Sequence, residues 1–228
     1  MSNRPKSQKT RAQTRSVEAA EESRSSLVWI GVAAIVAIAV VVGVLVSFGG
    51  DDSPGADWAL ETGFAETIGA PLPPLIDGPD PAIGMPAPIL RGLSARTGDV
   101  LEVIPDDGNV KLLGFFAHWC PVCQSEVPLV VEALEAEPLP DGVDLIAVST
   151  AVDRTRGNYP PSDWFVSEGW TAPVMVDSED GRAAAGFGLT AFPYWVVIGP
   201  DGNVVARVDG ALSEEQFDAL VDVAAAAR

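Results

Sequence analysis

Hydrophobic positions fall in one long block near the start of the chain and in short blocks after residue 86. Residues 27–48 run 22 positions without a charge, long enough to span the hydrocarbon core of a bilayer as a helix. Residues 110–117 form an apolar run interrupted only by Lys111, which predicts a strand buried on both faces. Over 124–135 the period changes. Val127, Val130, Val131 and Leu134 recur at helical spacing. Further strands are predicted at 143–149 and 173–176, and short helices at 162–168 and 180–187. The apolar runs 194–198 and 204–208 flank Gly199-Pro200-Asp201-Gly202-Asn203, a turn by composition, and predict an antiparallel hairpin. Residues 87–93 and 100–104, separated by a polar turn at 94–99, predict another. Ser213 precedes Glu214 and Glu215, then Phe217, Leu220, Val221 and Ala224 on one face. This is a capped terminal helix.

The same pattern divides the chain. Residues 1–26 are polar without an apolar period and read as a disordered tail. Residues 27–48 are a membrane span. Residues 49–86, rich in Gly, Pro and Asp, read as a tether stiffened by Pro71, Pro73, Pro74, Pro79 and Pro81, with a short helix at 58–68. Residues 87–228 form the folded domain. A cleaved signal peptide is the alternative to a span. The block is long for one, and no clean Ala-x-Ala site follows it, so a retained signal anchor is favoured.

Charge gives the span a direction. Six Lys/Arg against three acids make residues 1–26 net +3, which leaves −21 of the chain's −18 on the remainder. Basic flanks stay inside, so the tail is expected in the cytoplasm and the domain outside, on a single-pass cell-membrane protein. The acidic body argues against nucleic acid as a partner.

The chemistry is expected between the buried strand and the helix. Trp119-Cys120-Pro121-Val122-Cys123 places two cysteines one turn apart at a helix N-terminus, with proline where its missing N–H costs nothing. The dipole favours a negative charge there, and the thiolate is the reactive form of cysteine. Cys120, at the helix mouth, is the expected nucleophile, and Cys123, one turn inside, the resolving thiol. Two cysteines and one histidine, His118, do not make a four-thiolate or Cys2His2 zinc site within one chain. A disulfide that only staples the helix is the plain alternative. His118 is expected on the surface at the rim of the site; if close and charged it would stabilise the thiolate.

Three segments together resemble the thioredoxin fold, and more closely its membrane-anchored TlpA/ResA/CcmG-like branch. They are Phe-Phe-Ala-His-Trp-Cys-Pro-Val-Cys-Gln-Ser-Glu-Val-Pro at 115–128, Thr-Ala-Phe-Pro-Tyr-Trp-Val-Val-Ile-Gly-Pro-Asp-Gly at 190–202, and the closing Gly210. The resemblance covers about residues 87–227. It implies an α/β fold with a central mixed β-sheet flanked by helices, an N-terminal hairpin before the core, and here one transmembrane helix before that. It implies a cis bond before Pro193, packed beside the cysteines, and the bend-inducing Pro128 matches the family. It also places Trp119, Pro121, Val122, Phe192 and Pro193 along the substrate groove, although Phe192 stands where Thr, Val or Ile is common. Cytoplasmic thioredoxin carries a buried aspartate where this chain has Gly114. The branch instead has a glutamate matching Glu126, three residues past Cys123 and so on its helix face. That carboxylate would take the proton of Cys123 and raise thiol pKa values; a solvated first-turn glutamate is the alternative. Trp164, Trp170 and Trp195 are expected to pack the core or loops, and 150–169 is longer than in a minimal thioredoxin, as the branch allows.

The sequence reading is therefore an outward-facing thiol–disulfide oxidoreductase needing no cofactor beyond its redox-active disulfide. The resemblance implies reduction of protein disulfides, those of apocytochrome c among them, fed by a membrane electron-transfer partner. An oxidase using the same site and a non-catalytic thioredoxin-like binding module stay open. A copper-delivery domain is disfavoured, because such domains use CxxxC and a distant histidine.

Overall fold

The computed structural model describes residues 61–228. The tail, the apolar block 27–48 and the first part of the tether lie outside the described residues. Among the described residues no helix is long and apolar enough to cross a membrane.

The fold grows from β4 (Val110–Phe116), every residue of which is buried. Successive side chains of a strand point to opposite faces. Val110, Leu112 and Phe116 accordingly enter one core with Val127, Val130 and Phe217, whereas Leu113 and Phe115 enter the other with Leu90, Phe187 and Tyr194. Two covered faces explain why the strand reads as an unbroken apolar run. β5 (Val143–Ser149) lies parallel to β4 from Val110↔Val143 to Phe116↔Ser149. β7 (Tyr194–Ile198) lies antiparallel on the other edge and pairs Gly114 with Trp195. β8 (Val204–Asp209) and β6 (Val174–Val176) extend the sheet beyond β7 and β5.

The expected first hairpin is present as β2 (Ile89–Ser94) and β3 (Val100–Val103), in the register Leu90↔Val103. β2 also pairs with β6 and with β1 (Ala65–Ile68), which gives one eight-stranded mixed sheet in the order β1-β2-β6-β5-β4-β7-β8, with β3 on β2. The helices are α1 (Pro121–Ala136), α2 (Pro161–Ser167), α3 (Arg182–Gly186) and α4 (Glu214–Ala226). The α4 cap closes reciprocally: Ser213 Oγ accepts from Gln216 N, and Gln216 Oε1 accepts from Ser213 N. Phe217, Leu220 and Ala224 turn inward as the spacing required, and α4 packs on α1, β4 and β7.

Two expectations for the segment before the domain are corrected. The short helix expected over 58–68 is, where described, strand β1: Ala65 to Ile68 pair with Gly92 to Ile89. β-Branched Thr67 and Ile68 suit a pleated edge, and β2 offers one. The part of the tether from residue 61 onward is not free either. Leu72 and Ala82 are buried, Leu72 N donates to Gly186 O and Gly84 N to Val204 O. Arg207 fastens this stretch. Its guanidinium is fully covered, pairs with Asp80, and donates to Pro73 O at 2.8 Å. The hydrogen bonds that Arg207 donates to Asp80 hold its carboxyl below the usual carboxylate range, against the opposing effect of burial, and Ala82 N and the guanidinium charge add to the lowering. Proline lacks a donor, so the carbonyls of this segment had to find partners on the domain rather than within a helix.

Candidate active site

Cys120 is the N-cap of α1, and Pro121 opens the helix. Its backbone N–H donates to Ala117 O and its carbonyl accepts from Gln124 N, which fixes the turn from strand to helix. Both thiols are free and both are buried. Cys120 at 9% is more exposed than Cys123 at 0%, the order the helix geometry predicts, but it is not the exposed thiol expected at a helix mouth, because the wall around it covers most of it. Burial pushes the Cys123 thiol far above its ordinary pKa, and the negative charges of Cys120 and Glu126 add to the rise. Pro128 lies inside α1 as expected.

Glu126 is not a solvated first-turn residue. It is 2% exposed, and each carboxylate oxygen has a donor. Trp195 Nε1 donates to Oε1 at 2.7 Å, and Leu212 N to Oε2 at 2.6 Å. Burial raises its pKa and the two hydrogen bonds partly offset the rise. The sequence identified Glu126 but missed its partners. From sequence Trp195 reads only as a packing residue, and Leu212 carries no signal, since its donor is a backbone N–H. Gly114 supplies the space. It faces Trp195 across the β4–β7 pair, and a Cβ there would lie 2.7 Å from the Phe116 ring and 2.8 Å from the Trp195 ring. Aromatic rings thus fill the volume at the position where cytoplasmic thioredoxin carries its acid.

The peptide bond between Phe192 and Pro193 is cis. It lies beside the thiols, with Phe192 O 3.9 Å from Cys120 Sγ. Phe192 meets Trp119 edge to face, at 6.1 Å between ring centroids. Pro121 is exposed, Trp119, Val122 and Phe192 are half-buried and Pro193 is buried, and the Phe192 contacts bring this bond to the Trp119–Cys120 end of α1. A second cis bond, between Tyr159 and Pro160, had no signal in the sequence reading.

His118 is a correction. It is 1% exposed rather than on the surface. Its Nε2 accepts from Asp153 N at 3.1 Å, so the ring proton sits on Nδ1 and is donated to Gly157 O at 2.8 Å. The partners are backbone groups 35 and 39 residues away, which no side-chain pattern reveals. Trp119 holds the same loop, since its Nε1 donates to Ala151 O at 2.7 Å, and the Arg156 guanidinium lies over its ring at 4.5 Å from the centroid. The two residues before Cys120 therefore clamp residues 151–157, the stretch for which sequence offered no role.

Comparison with known proteins agrees with this geometry. A model of the Redoxin family matches residues 92–223. The thiol:disulfide interchange protein DsbE homolog of Paracoccus denitrificans is 32% identical over 167 residues, covering 70% of this chain and 85% of that protein. Sporulation thiol-disulfide oxidoreductase A of Bacillus subtilis is 26% identical over 114 residues, 50% of this chain and 67% of that one. Among solved structures, a thioredoxin-family thiol:disulfide interchange protein from Chlorobium tepidum superposes with a TM-score of 0.51 at 26% identity, covering 65% of this chain and 99% of that chain.

Proposed function

Because the chain belongs to the redoxin family and is a thiol–disulfide oxidoreductase, we propose that it works as a reductase of protein disulfides through Cys120 and Cys123, on the outer face of a membrane that residues 27–48 anchor it to. The Cys120 thiolate attacks one sulfur of a substrate disulfide. A mixed disulfide forms, and the departing substrate thiolate takes up a proton. Cys123 then gives its proton to the Glu126 carboxylate and attacks Cys120 Sγ. The Cys120–Cys123 disulfide forms and the second substrate thiol leaves. Two electrons pass from the dithiol to the substrate, carried by the two thiols, while Glu126 handles only the proton. Trp119, Pro121, Val122 and Phe192 are the surface on which the substrate chain would lie, with Pro193 buried next to Phe192.

The observation that carries the direction is the environment of Cys123. A dithiol whose thiolate is stabilised is an oxidant once in its disulfide form, as in DsbA. Cys123 has the opposite surroundings: burial and two negative neighbours disfavour its thiolate. The couple therefore lacks, at Cys123, the thiolate stabilisation that makes a disulfide strongly oxidising, and this supports the reductant reading. An outward-facing reductant must be recharged, so a membrane electron-transfer partner belongs to this reading, and apocytochrome c cysteines are a fitting substrate.

The test is the reduction potential of the Cys120–Cys123 couple, measured by equilibration with redox buffers and thiol trapping. The reading expects a value nearer that of thioredoxin, about −270 mV, than that of DsbA, about −120 mV. A value near the latter would make the protein an oxidase using the same site.

A further inference from the structure

At least half of the eight Lys/Arg among the described residues pair with an acid of the chain. Arg91, Lys111, Arg182 and Arg207 each close on a carboxylate of the chain. Arg156 does not. It is exposed, and among the described residues its guanidinium forms no ion pair; it lies instead over the Trp119 ring. Asp153, the acid nearest in sequence, feels the Arg156 charge but forms no ion pair with it, and its Oδ1 accepts from the N–H and hydroxyl of Thr155. Arg154 is a weaker candidate, since it lines a hollow with Glu61 and Glu179.

Arg156 is also fixed in place. The Trp119 ring under it is pinned by Ala151 O and packed against Phe192. The backbone on either side is held by His118, at Asp153 N and at Gly157 O. A guanidinium stacked on an aromatic face keeps its N–H donors in the plane of the fork, where they match a carboxylate in bidentate fashion. Trp119 is the residue before Cys120, so that fork stands at the edge of the surface where a substrate cysteine must arrive. The chain after residue 26 carries a net charge of −21, which makes this a local positive spot on a negative body.

We propose that Arg156 recognises a carboxylate on the substrate chain beside its reacting cysteine, so that the enzyme prefers disulfides flanked by Asp or Glu. Arg156 is a specificity residue here and takes no part in the thiol chemistry. The inference rests on Cys120 being the attacking thiol.

The test uses the reduced full-length chain and three peptides that differ only at the positions flanking one cysteine: Asp, Asn or Lys. Each cysteine carries a 2-pyridyl disulfide. Attack by the Cys120 thiolate on the peptide sulfur breaks that disulfide and releases pyridine-2-thione, which is read by absorbance; Cys123 then displaces the peptide thiol. Second-order rates are compared at one ionic strength, so that the general repulsion by the acidic body is common to all variants. The Asp peptide is expected to react about three to five times faster than the Asn peptide, the size of one partly exposed ion pair. In Arg156→Gln that ratio falls to about one, and in Arg156→Lys it falls part of the way, because an ammonium offers no fork. The gain should appear in the concentration dependence rather than in the maximal rate. Absence of the preference in the native chain, its persistence in Arg156→Gln, or an equal slowing of all three peptides would overturn the assignment. Failure of the Asn peptide to react with the native chain would instead refute the role of Cys120.

Discussion

Replacing Glu126 by Gln removes a buried charge and keeps the side-chain shape, so it separates the proton acceptor from the packing. Side chains at i and i+3 on a helix lie about 5–6 Å apart. Two unit charges at about 6 Å in an effective dielectric of about 20 repel by about 3 kcal/mol, or roughly two pK units. Burial is the larger cause of the Cys123 shift. The Cys123 pKa should therefore drop by one to two units in Glu126→Gln, roughly, and still remain above that of an ordinary cysteine. A lower thiol pKa by itself raises the thiolate fraction about ten- to a hundredfold. Loss of a positioned base costs about 10²–10⁴-fold. The base should win, and release of the substrate from the mixed disulfide should slow by about tenfold or more near neutral pH. The pH profile tells the two effects apart. In the native protein the release rate should rise as Glu126 ionises, through a pKa that burial sets above its ordinary 4.5, and then level off. In Glu126→Gln hydroxide is the remaining base, so the rate should climb steadily with pH and show no plateau. The assay is stopped-flow release of a fluorescent peptide from a preformed Cys120 mixed disulfide, beside a thiolate-absorbance titration. The same plateau and rate in Glu126→Gln, with an unmoved titration, would leave Glu126 a structural hydrogen-bond acceptor for Trp195 and Leu212.

Other outcomes follow from single features. Glu126 also links stability to pH: its folded pKa lies above the unfolded value, so the stability it confers is present below about pH 4.5 and declines as pH rises through the folded value; urea midpoints across that range should fall in the native chain and stay flat in Glu126→Gln. His118→Ala removes two hydrogen bonds to residues 153 and 157, worth about 1 kcal/mol each; trypsin should cleave after Arg154 and Arg156 about tenfold faster or more, and unchanged cleavage would deny the clamp. Arg207→Met leaves Asp80 nearly covered without its partner, and urea unfolding should show a loss of about 3–5 kcal/mol, with less than 1 kcal/mol counting against it. Cys123→Ser should accumulate mixed disulfides through Cys120 on non-reducing gels, whereas Cys120→Ser should accumulate none. A reporter active only outside the cytoplasm, fused after Arg228, should be active; activity of a cytoplasm-only reporter there would reverse the orientation.

The junction of β4 and α1 was legible because its determinants are local. A seven-residue buried strand, a proline that fits the first helical turn, and apolar residues three and four apart specify that unit within about 25 residues. The hairpins at 199–203 and 94–99 were legible for the same reason, and so was the Ser213 cap. Glu126 was picked out by its helical offset from Cys123, but whether it was solvated or buried was not decidable from that offset.

What remained belongs to long-range contacts. The Trp195 donor to Glu126 is 69 residues away and Leu212 N is 86 residues away, and both arrive only because β7 and α4 close over α1. His118 is buried because a loop 35 residues downstream folds onto it and offers backbone partners. Residues 65–68 became a strand because β2 had an open edge, and residues 72–86 packed because Arg207 needed Asp80 and Pro73. The sequence by itself determined the local periods, the turns and the placing of two thiols at a helix mouth, since each depends on neighbours a turn away. The tertiary structure alone decided which polar groups those thiols and Glu126 face, because desolvation and hydrogen bonding are set by whatever elements the closed sheet brings together.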